Sequence, residues 1–266
     1  MTVAAVRIVR APSALTWYAL DGDVVAGEVS ARLRPDDRCF LYFDAWRPDV
    51  YPPLADAVAA ELRRDLYASL DDAEFDALDA CAAAGFVEHR RESFYRIPTD
   101  PEVTRLADAT LPDRLDLMSA ANADVDRLRL LDDALRQDVP GCDGWRWDPG
   151  EFQAETFGTF FDPATYLVAV DRSSGDYAGL VRIWRSRGGP RLGLIATLIP
   201  YRRRGVARAL LSRAFGVLVA RGETSVIADA DDASAPCVSL LSRLGARRYG
   251  GSAELIRHHP STGVAG

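Results

Sequence analysis

The sequence predicts an α+β protein built as two tandem copies of one domain, each a mixed, mostly antiparallel twisted sheet flanked by helices. Three observations carry that reading. The same order of strand, turn and helix signals occurs twice along the 266 residues. The two occurrences are separated by a polar stretch with two prolines, Ile97–Thr104. The composition, 48% hydrophobic and 27% charged, is that of a globular core with a solvated surface.

Each copy begins with a strand, a glycine-containing turn and a second strand: Ala19–Val29 in the first, and Ala169–Val181, with a turn two residues longer, in the second. An apolar strand follows, Arg38–Phe43 and then Arg191–Ile199. Each of these leads into an amphipathic helix, Leu54–Arg64 and Val206–Arg221. A short strand comes next, Thr224–Ala230 in the second copy, and then a helix ending at Gly85 or Gly245. Glycine suits the left-handed residue that closes a helix. A last strand completes each copy, Glu92–Ile97 and about Ala253–Arg257. The domains are therefore expected at 1–100 and 104–266. The second has extra helical material in front, Leu111–Gln137, whose Leu115, Leu128, Leu131 and Leu135 form a core-facing stripe.

Composition removes several chemistries. All 32 basic residues are arginine, so neither a Schiff-base lysine nor a Walker lysine is available. Cys39, Cys81, Cys142 and Cys237 are scattered and only three histidines accompany them, which argues against a structural metal or a disulfide framework. No apolar run reaches the roughly 18 to 20 residues of a membrane span, and the first twenty residues lack a signal-peptide pattern. The expectation is a soluble cytoplasmic protein with no membrane partner. A net charge of −7 disfavours nucleic acid. That charge is uneven, −8 over residues 1–103 and +1 over the remainder, so an anion site belongs in the second copy.

The richest segment is Thr197–Leu211. A strand runs into Pro200, then Arg202, Arg203, Arg204, Gly205, Val206, Ala207 and Arg208, then a helix. Gly205 permits a sharp turn and Ala207 permits close approach. The unpaired amides and partial positive charge of a helix N-terminus add to the arginines, making a seat for a pyrophosphate-sized anion. A P-loop is excluded by the missing lysine, and a dinucleotide fingerprint by its missing glycines. A solvated arginine-rich turn and a localisation signal are the bland alternatives. The second is disfavoured because the arginines continue directly into an apolar-striped helix.

Arg202-x-x-Gly205-x-Ala207, between a strand and a helix, resembles the acetyl-CoA loop of the GNAT acetyltransferase superfamily. The likeness covers about Leu128–Arg257 and reaches the first hundred residues only through the repeat; the tandem plan is similar to that of mycothiol synthase. The resemblance implies direct transfer of an acetyl group from acetyl-CoA to a primary amine of a small molecule, without a metal. Backbone donors for the thioester oxygen are expected around Leu198 and Ile199, and Ser234 stands where the family often has asparagine beside the pantetheine arm. The family's usual tyrosine, four residues before the glycine matching Gly245, is Leu241 here, leaving Ser239, Ser242 or water to protonate the thiolate. Glu151 is the candidate base, beside Glu155, Asp229, Asp231 and Asp232. It lies in Gly144–Phe152, whose two tryptophans suit either the acceptor groove or a lid over the core. Asp232 and Ser234 also suit a helix cap. The first copy has Asp49, Pro48, Pro52 and Pro53 in place of the loop and is expected not to bind CoA. Its acidity is consistent with a cationic acceptor. A noncatalytic acyl-CoA sensor, a peptide N-terminal acetyltransferase and a structural subunit are the alternatives.

Overall fold

A computed structural model describes residues 6–142 and 144–260. The chain divides into two units. The first runs through Glu92 and includes the chain from Gly250 onward; the second is Ser93–Tyr249.

The first unit contains β1 (Arg7–Arg10), β2 (Thr16–Asp21), β3 (Val24–Leu33), β4 (Cys39–Ala45), α1 (Tyr51–Leu62), β5 (Leu66–Asp71) and α2 (Phe75–Ala83). Then comes β6 (Val87–Pro98), which carries the chain into the second unit. There follow α3 (Pro101–Thr104), β7 (Leu115–Ser119), α4 (Val125–Arg136), α5 (Pro149–Thr156), β8 (Tyr166–Asp171), β9 (Tyr177–Trp184) and β10 (Arg191–Thr197). The last elements are α6 (Val206–Ala220), β11 (Ser225–Asp231), α7 (Ala235–Arg243) and β12 (Arg247–Arg257).

In the first unit the strand order is β1-β2-β3-β4-β5-β12, and in the second it is β6-β11-β10-β9-β8-β7. The pairs β4–β5 and β10–β11 are parallel, whereas β1–β2, β2–β3, β3–β4, β7–β8, β8–β9 and β9–β10 are antiparallel. The closing strands are exchanged. Residues Ser252–Arg257, from the end of the chain, pair antiparallel with Leu66–Asp71, and the Ser93 end of β6 lies in the second unit. The sequence expectation had each copy closed by its own final strand.

Each unit has its own core. Trp17, Val29, Leu41, Leu54, Val58, Leu66 and Leu255 pack together in the first. In the second, one face of the sheet packs Val206, Leu210, Phe215, Leu218, Leu241 and Leu244 of α6 and α7 against Val181, Leu192 and Val226. The other face packs Leu128, Leu131 and Leu135 of α4, with Phe152 of α5, against Tyr166, Val168, Leu180 and Leu194. The stripe on α4 is as the spacing predicted, but its helix starts later. Asp124 caps it by accepting from the Arg127 amide at 2.9 Å. Leu115 is buried on β7 instead, because Leu115–Ser119 pairs with β8. Among the described residues no helix is long and apolar enough to cross a membrane.

Candidate functional site

The second unit's sheet opens at one place. β10 pairs with β9 from Arg191↔Trp184 to Thr197↔Gly179. With β11 it pairs only at Arg191↔Ile227 and Leu192↔Ala228, and beyond Leu192 the two strands part. The parting coincides with a β-bulge, a register shift between Leu192 and Leu194 that leaves Gly193 as the extra residue. A bulge bends its strand and sharpens its twist. Only glycine fits there, since a Cβ on Gly193 would fall 2.0 Å from the Trp184 ring.

The bulge also decides which amides face the opening. The Leu198 N–H donates to the Ala178 carbonyl at 2.9 Å, across the β9 side. Bonded and non-bonded pairs alternate along an antiparallel ladder. Leu194 and Ala196 therefore turn their N–H groups toward β9 with Leu198, and Ile195 and Thr197 turn theirs toward the parted edge. This corrects the expected donors. The Leu198 amide is committed to the sheet, and Ile199 lies past the strand in the 3-10 turn Ile199–Tyr201.

From that turn the chain enters the arginine loop. The Tyr201 hydroxyl donates to Asp171 at 3.0 Å and ties the turn to the end of β8. Asp171 also accepts from Ser173 and pairs with Arg114; those bonds hold its carboxyl well below the usual carboxylate range. Arg203 (φ 61°) and Gly205 (φ 84°) are left-handed, which turns the chain tightly onto the start of α6. Gly205 is the helix N-cap, no side chain caps the helix, and no acidic residue lies in its first turn. Open space surrounds the position a Cβ on Gly205 would take. Arg202, Arg203, Arg204 and Arg208 are exposed, Ala207 is half-buried, and Val206 anchors the helix in the core. Arg202 pairs with Asp138 and donates from Nε to the Thr197 carbonyl at 3.0 Å. Arg208 donates to the Arg105 carbonyl.

The side chains proposed for proton transfer are dispersed. Ser239 and Ser242 are exposed on α7, whereas Leu241 between them is buried in the core. Ser234 is the N-cap residue of α7 without a side-chain cap bond. Asp231 is buried and accepts from the Ala233 amide at 2.7 Å; Asp232 accepts from Ser93 at 2.6 Å; Asp229 is paired with Arg191. Glu151 is exposed in the first turn of α5 and does not line the aromatic cavity beneath that helix. Glu155, one turn further on, is among that cavity's lining residues.

That cavity, of about 290 Å³, lies under α4 and α5. Trp145, Trp147, Phe161, Tyr166 and Trp184 supply most of its wall, with Arg136 and Arg182 between them. Both arginines bind the fully buried Asp132, Arg182 at 3.2 Å, and the Trp147 indole N–H donates to the same carboxylate at 2.8 Å. Burial alone would raise the Asp132 carboxyl, but Arg182 and Arg136 outweigh it and hold it below the usual range. The sequence pointed to the tryptophan pair, Trp145 and Trp147, but not to Asp132, Arg136 or Arg182. A signal existed: Arg182 is a charge inside an otherwise apolar strand, Tyr177–Trp184, and such a residue needs a buried partner.

The first unit's counterpart corner lacks these features. Pro52 and Pro53 occupy the first turn of α1 and Pro48 the turn before it, so three amides are absent. Asp49 puts a carboxylate there, bound to Arg47 at 2.6 Å and held below its ordinary pKa by that bond.

Residues 131–246 match the sequence model of the acetyltransferase (GNAT) family. No curated protein matches significantly. Among solved structures, a GCN5-related N-acetyltransferase from Sphaerobacter thermophilus is similar over 91% of this chain and 80% of its own, with 17% identity and a TM-score of 0.66. A tandem GNAT protein from the clavulanic acid biosynthesis pathway is similar over 98% and 85%, with 13% identity and a TM-score of 0.65. A GCN5-related N-acetyltransferase from Kribbella flavida gives 98% and 92%, 17% identity and a TM-score of 0.56. At these identities the likeness is one of fold, and the fold is the tandem GNAT one.

Proposed function

The second half of the chain belongs to the GNAT acetyltransferase family, and from that premise we propose that the protein moves an acetyl group from acetyl-CoA to a primary amine of a small molecule by direct attack. The observation that carries the reading is the parting of β10 from β11 beside an uncapped helix N-terminus. The amides of Val206, Ala207 and Arg208, together with Arg203 and Arg204, suit a pyrophosphate. The open space at Gly205 fits that group, and no first-turn carboxylate opposes it.

Acetyl-CoA supplies a thioester carbonyl. The chain's part is to orient it and to stabilise the charge that develops on its oxygen. The N–H groups of Ile195 and Thr197, unused by the sheet, are the donors suited to that oxygen. The acceptor nitrogen forms the new bond to the carbonyl carbon, the carbon–sulfur bond breaks, the ammonium proton leaves, and the thiolate takes up a proton. Glu155 is the carboxylate we assign to receive the proton, directly or through water. No side chain is needed as acid, because a thiol with a pKa of about 8.5 leaves readily. Alignment of two bound substrates supplies much of the acceleration.

Leu241 favours a second reading, a noncatalytic acyl-CoA sensor. The position where the family usually has an acid is apolar and buried. Coenzyme A release across a panel of amines separates the two. We expect amine-dependent release; tight acetyl-CoA binding without release from any amine would leave the sensor.

A further inference from the structure

The walls of the cavity under α4 and α5 state what it can hold. Three of its lining residues are more than nine-tenths buried, each with a buried polar atom that has no hydrogen-bond partner among the described residues: the Tyr166 hydroxyl, the Thr156 hydroxyl and the Arg182 Nε. A buried group left in that condition destabilises the empty site, so a ligand that satisfied it would gain affinity. Arg182 can only donate. The Tyr166 phenol is pushed up to about 12 by burial, so it is a neutral donor throughout the physiological range.

The charges of the wall balance: Arg136 and Arg182 share Asp132, Asp162 is paired with Arg221, and Glu155 supplies a further carboxylate, which suits a ligand that carries both signs. The ring faces that would attract an ammonium already hold guanidiniums. Arg136 sits 5.3 and 5.4 Å from the Trp145 and Trp147 centroids, and Arg182 sits 5.9 and 5.2 Å from those of Tyr166 and Trp184. What remains for a ligand is an apolar, ring-sized space with unpartnered hydrogen-bond donors and the Glu155 carboxylate in its wall. The cavity also adjoins the parted strands, because Trp184 lies against Gly193, the first residue beyond the last β10–β11 pair.

We propose that this cavity receives the body of the acceptor, and that the acceptor is a ring-bearing amine carrying a carboxylate, of the aromatic amino acid class. Its ring lies among Trp145, Trp147 and Trp184, its carboxylate takes the donors of Tyr166, Thr156 and Arg182, and its amine is left toward Gly193 and Glu155. The assignment rests on the acetyl-transfer reading and narrows it: polycationic amines, for which the acidic first copy would speak, offer no acceptor to the three unpartnered donors.

The test uses matched pairs on the full-length protein: phenylalanine, tyrosine and tryptophan, each against the amine lacking the carboxylate (phenethylamine, tyramine, tryptamine), with spermidine as a polycation. Calorimetry gives affinity, and coenzyme A release is measured separately. At least one amino acid is expected to bind about tenfold or more tightly than its decarboxylated partner and to support release. Tyr166→Phe removes only the hydroxyl and leaves the Asp132 cluster paired. It is expected to erase most of that preference while leaving the bare amine's affinity unchanged. Equal or better binding of the bare amines or spermidine, or no binding by any amino acid, would overturn the proposal. An unchanged preference in Tyr166→Phe would overturn the role given to its hydroxyl. Release supported by spermidine alone sinks the substrate class while acetyl transfer stands. Binding of the amino acids with no release from any amine sinks acetyl transfer instead, and with it the acceptor role of the cavity.

Discussion

The two units share one strand plan, and comparing their registers isolates the differences at one corner. Gly27 on β3 pairs with Ala45, as Gly179 on β9 pairs with Thr197. Both glycines are needed for the same reason: a Cβ on Gly27 would lie 2.6 Å from Ala45 Cβ, and one on Gly179 would lie 2.6 Å from the Ala196 carbonyl. In the same register Leu41↔Ala68 matches Leu192↔Ala228, the last parallel pair before each opening. From there to the matched end of the strand is four residues in β4 (Leu41 to Ala45) and five in β10 (Leu192 to Thr197). The extra residue is the Gly193 bulge. From strand end to helix start is six residues in the first unit (Ala45 to Tyr51) and nine in the second (Thr197 to Val206). Phe43, stacked on Tyr51 at 4.5 Å with Phe86 edge-on to it, fills the first unit's corner. A binding corner thus differs from a structural one by a bulge, three loop residues and the charge at a helix start.

The largest effect should come from breaking the cradle. Gly205→Asp adds bulk in the open space and a carboxylate at the helix start, reproducing what Asp49 does in the first unit. Aspartate tolerates a left-handed backbone better than most residues, so the fold should survive. Acetyl-CoA affinity should fall more than about a hundredfold by calorimetry, combining lost and repulsive contacts. Unchanged affinity would remove the phosphate assignment.

Deleting Gly193 tests the bulge. The deletion makes β10 as regular as β4: the Ile195 and Thr197 amides keep their side of the strand, but the bend that sets them in the opening is lost. If those amides stabilise the developing oxyanion, kcat should drop about 10²- to 10³-fold, the usual effect of losing one such donor. Acetyl-CoA affinity should change far less. An equal loss in both would mean that the bulge serves binding rather than transition-state stabilisation.

Stoichiometry tests the comparison itself. Native mass spectrometry should show one acetyl-CoA per chain, and Asp49→Gly should not create a second site, because the prolines still withhold their amides. Two equivalents on the unaltered chain would refute the distinction between the corners. Smaller effects are expected from Arg203→Ala and Arg204→Ala, roughly three- to tenfold in acetyl-CoA affinity. Exposed ion pairs are weak, and the loss should shrink as salt is raised.

Much of this was legible in the sequence because it is local. The loop motif, the strand before it, the Leu128–Leu135 stripe and the repeat each occupy a short window. The strand exchange was not, because Glu92–Ile97 and Ala253–Arg257 read alike as strands, and neither pattern says which sheet edge a strand joins. The donor amides were misplaced for a related reason. A bulge moves every following residue by one in the alternation, so spacing counted through Gly193 arrives at Leu198 rather than Thr197. An isolated glycine within a strand is a bulge signal, and it could have been weighed. The Asp132–Arg136–Arg182 cluster joins residues up to fifty positions apart, and only Arg182 looked out of place by itself.

The smallest effect concerns the missing tyrosine. Leu241 is 1% exposed and packs within the α6–α7 core of the second unit. Tyrosine there adds a ring and a hydroxyl to a closed space. The expected result is overpacking, a loss of about 1 to 3 kcal/mol of stability, with coenzyme A release changed less than about threefold. A hydroxyl that reached the thiolate would behave otherwise, since a well-placed acid gives about 10²- to 10⁴-fold. Thermal unfolding and steady-state release on Leu241→Tyr therefore separate the two. A rate gain of tenfold or more without destabilisation would show that α7 turns this position toward the opening, and the proton for the thiolate would then have lost its side-chain donor only through the leucine.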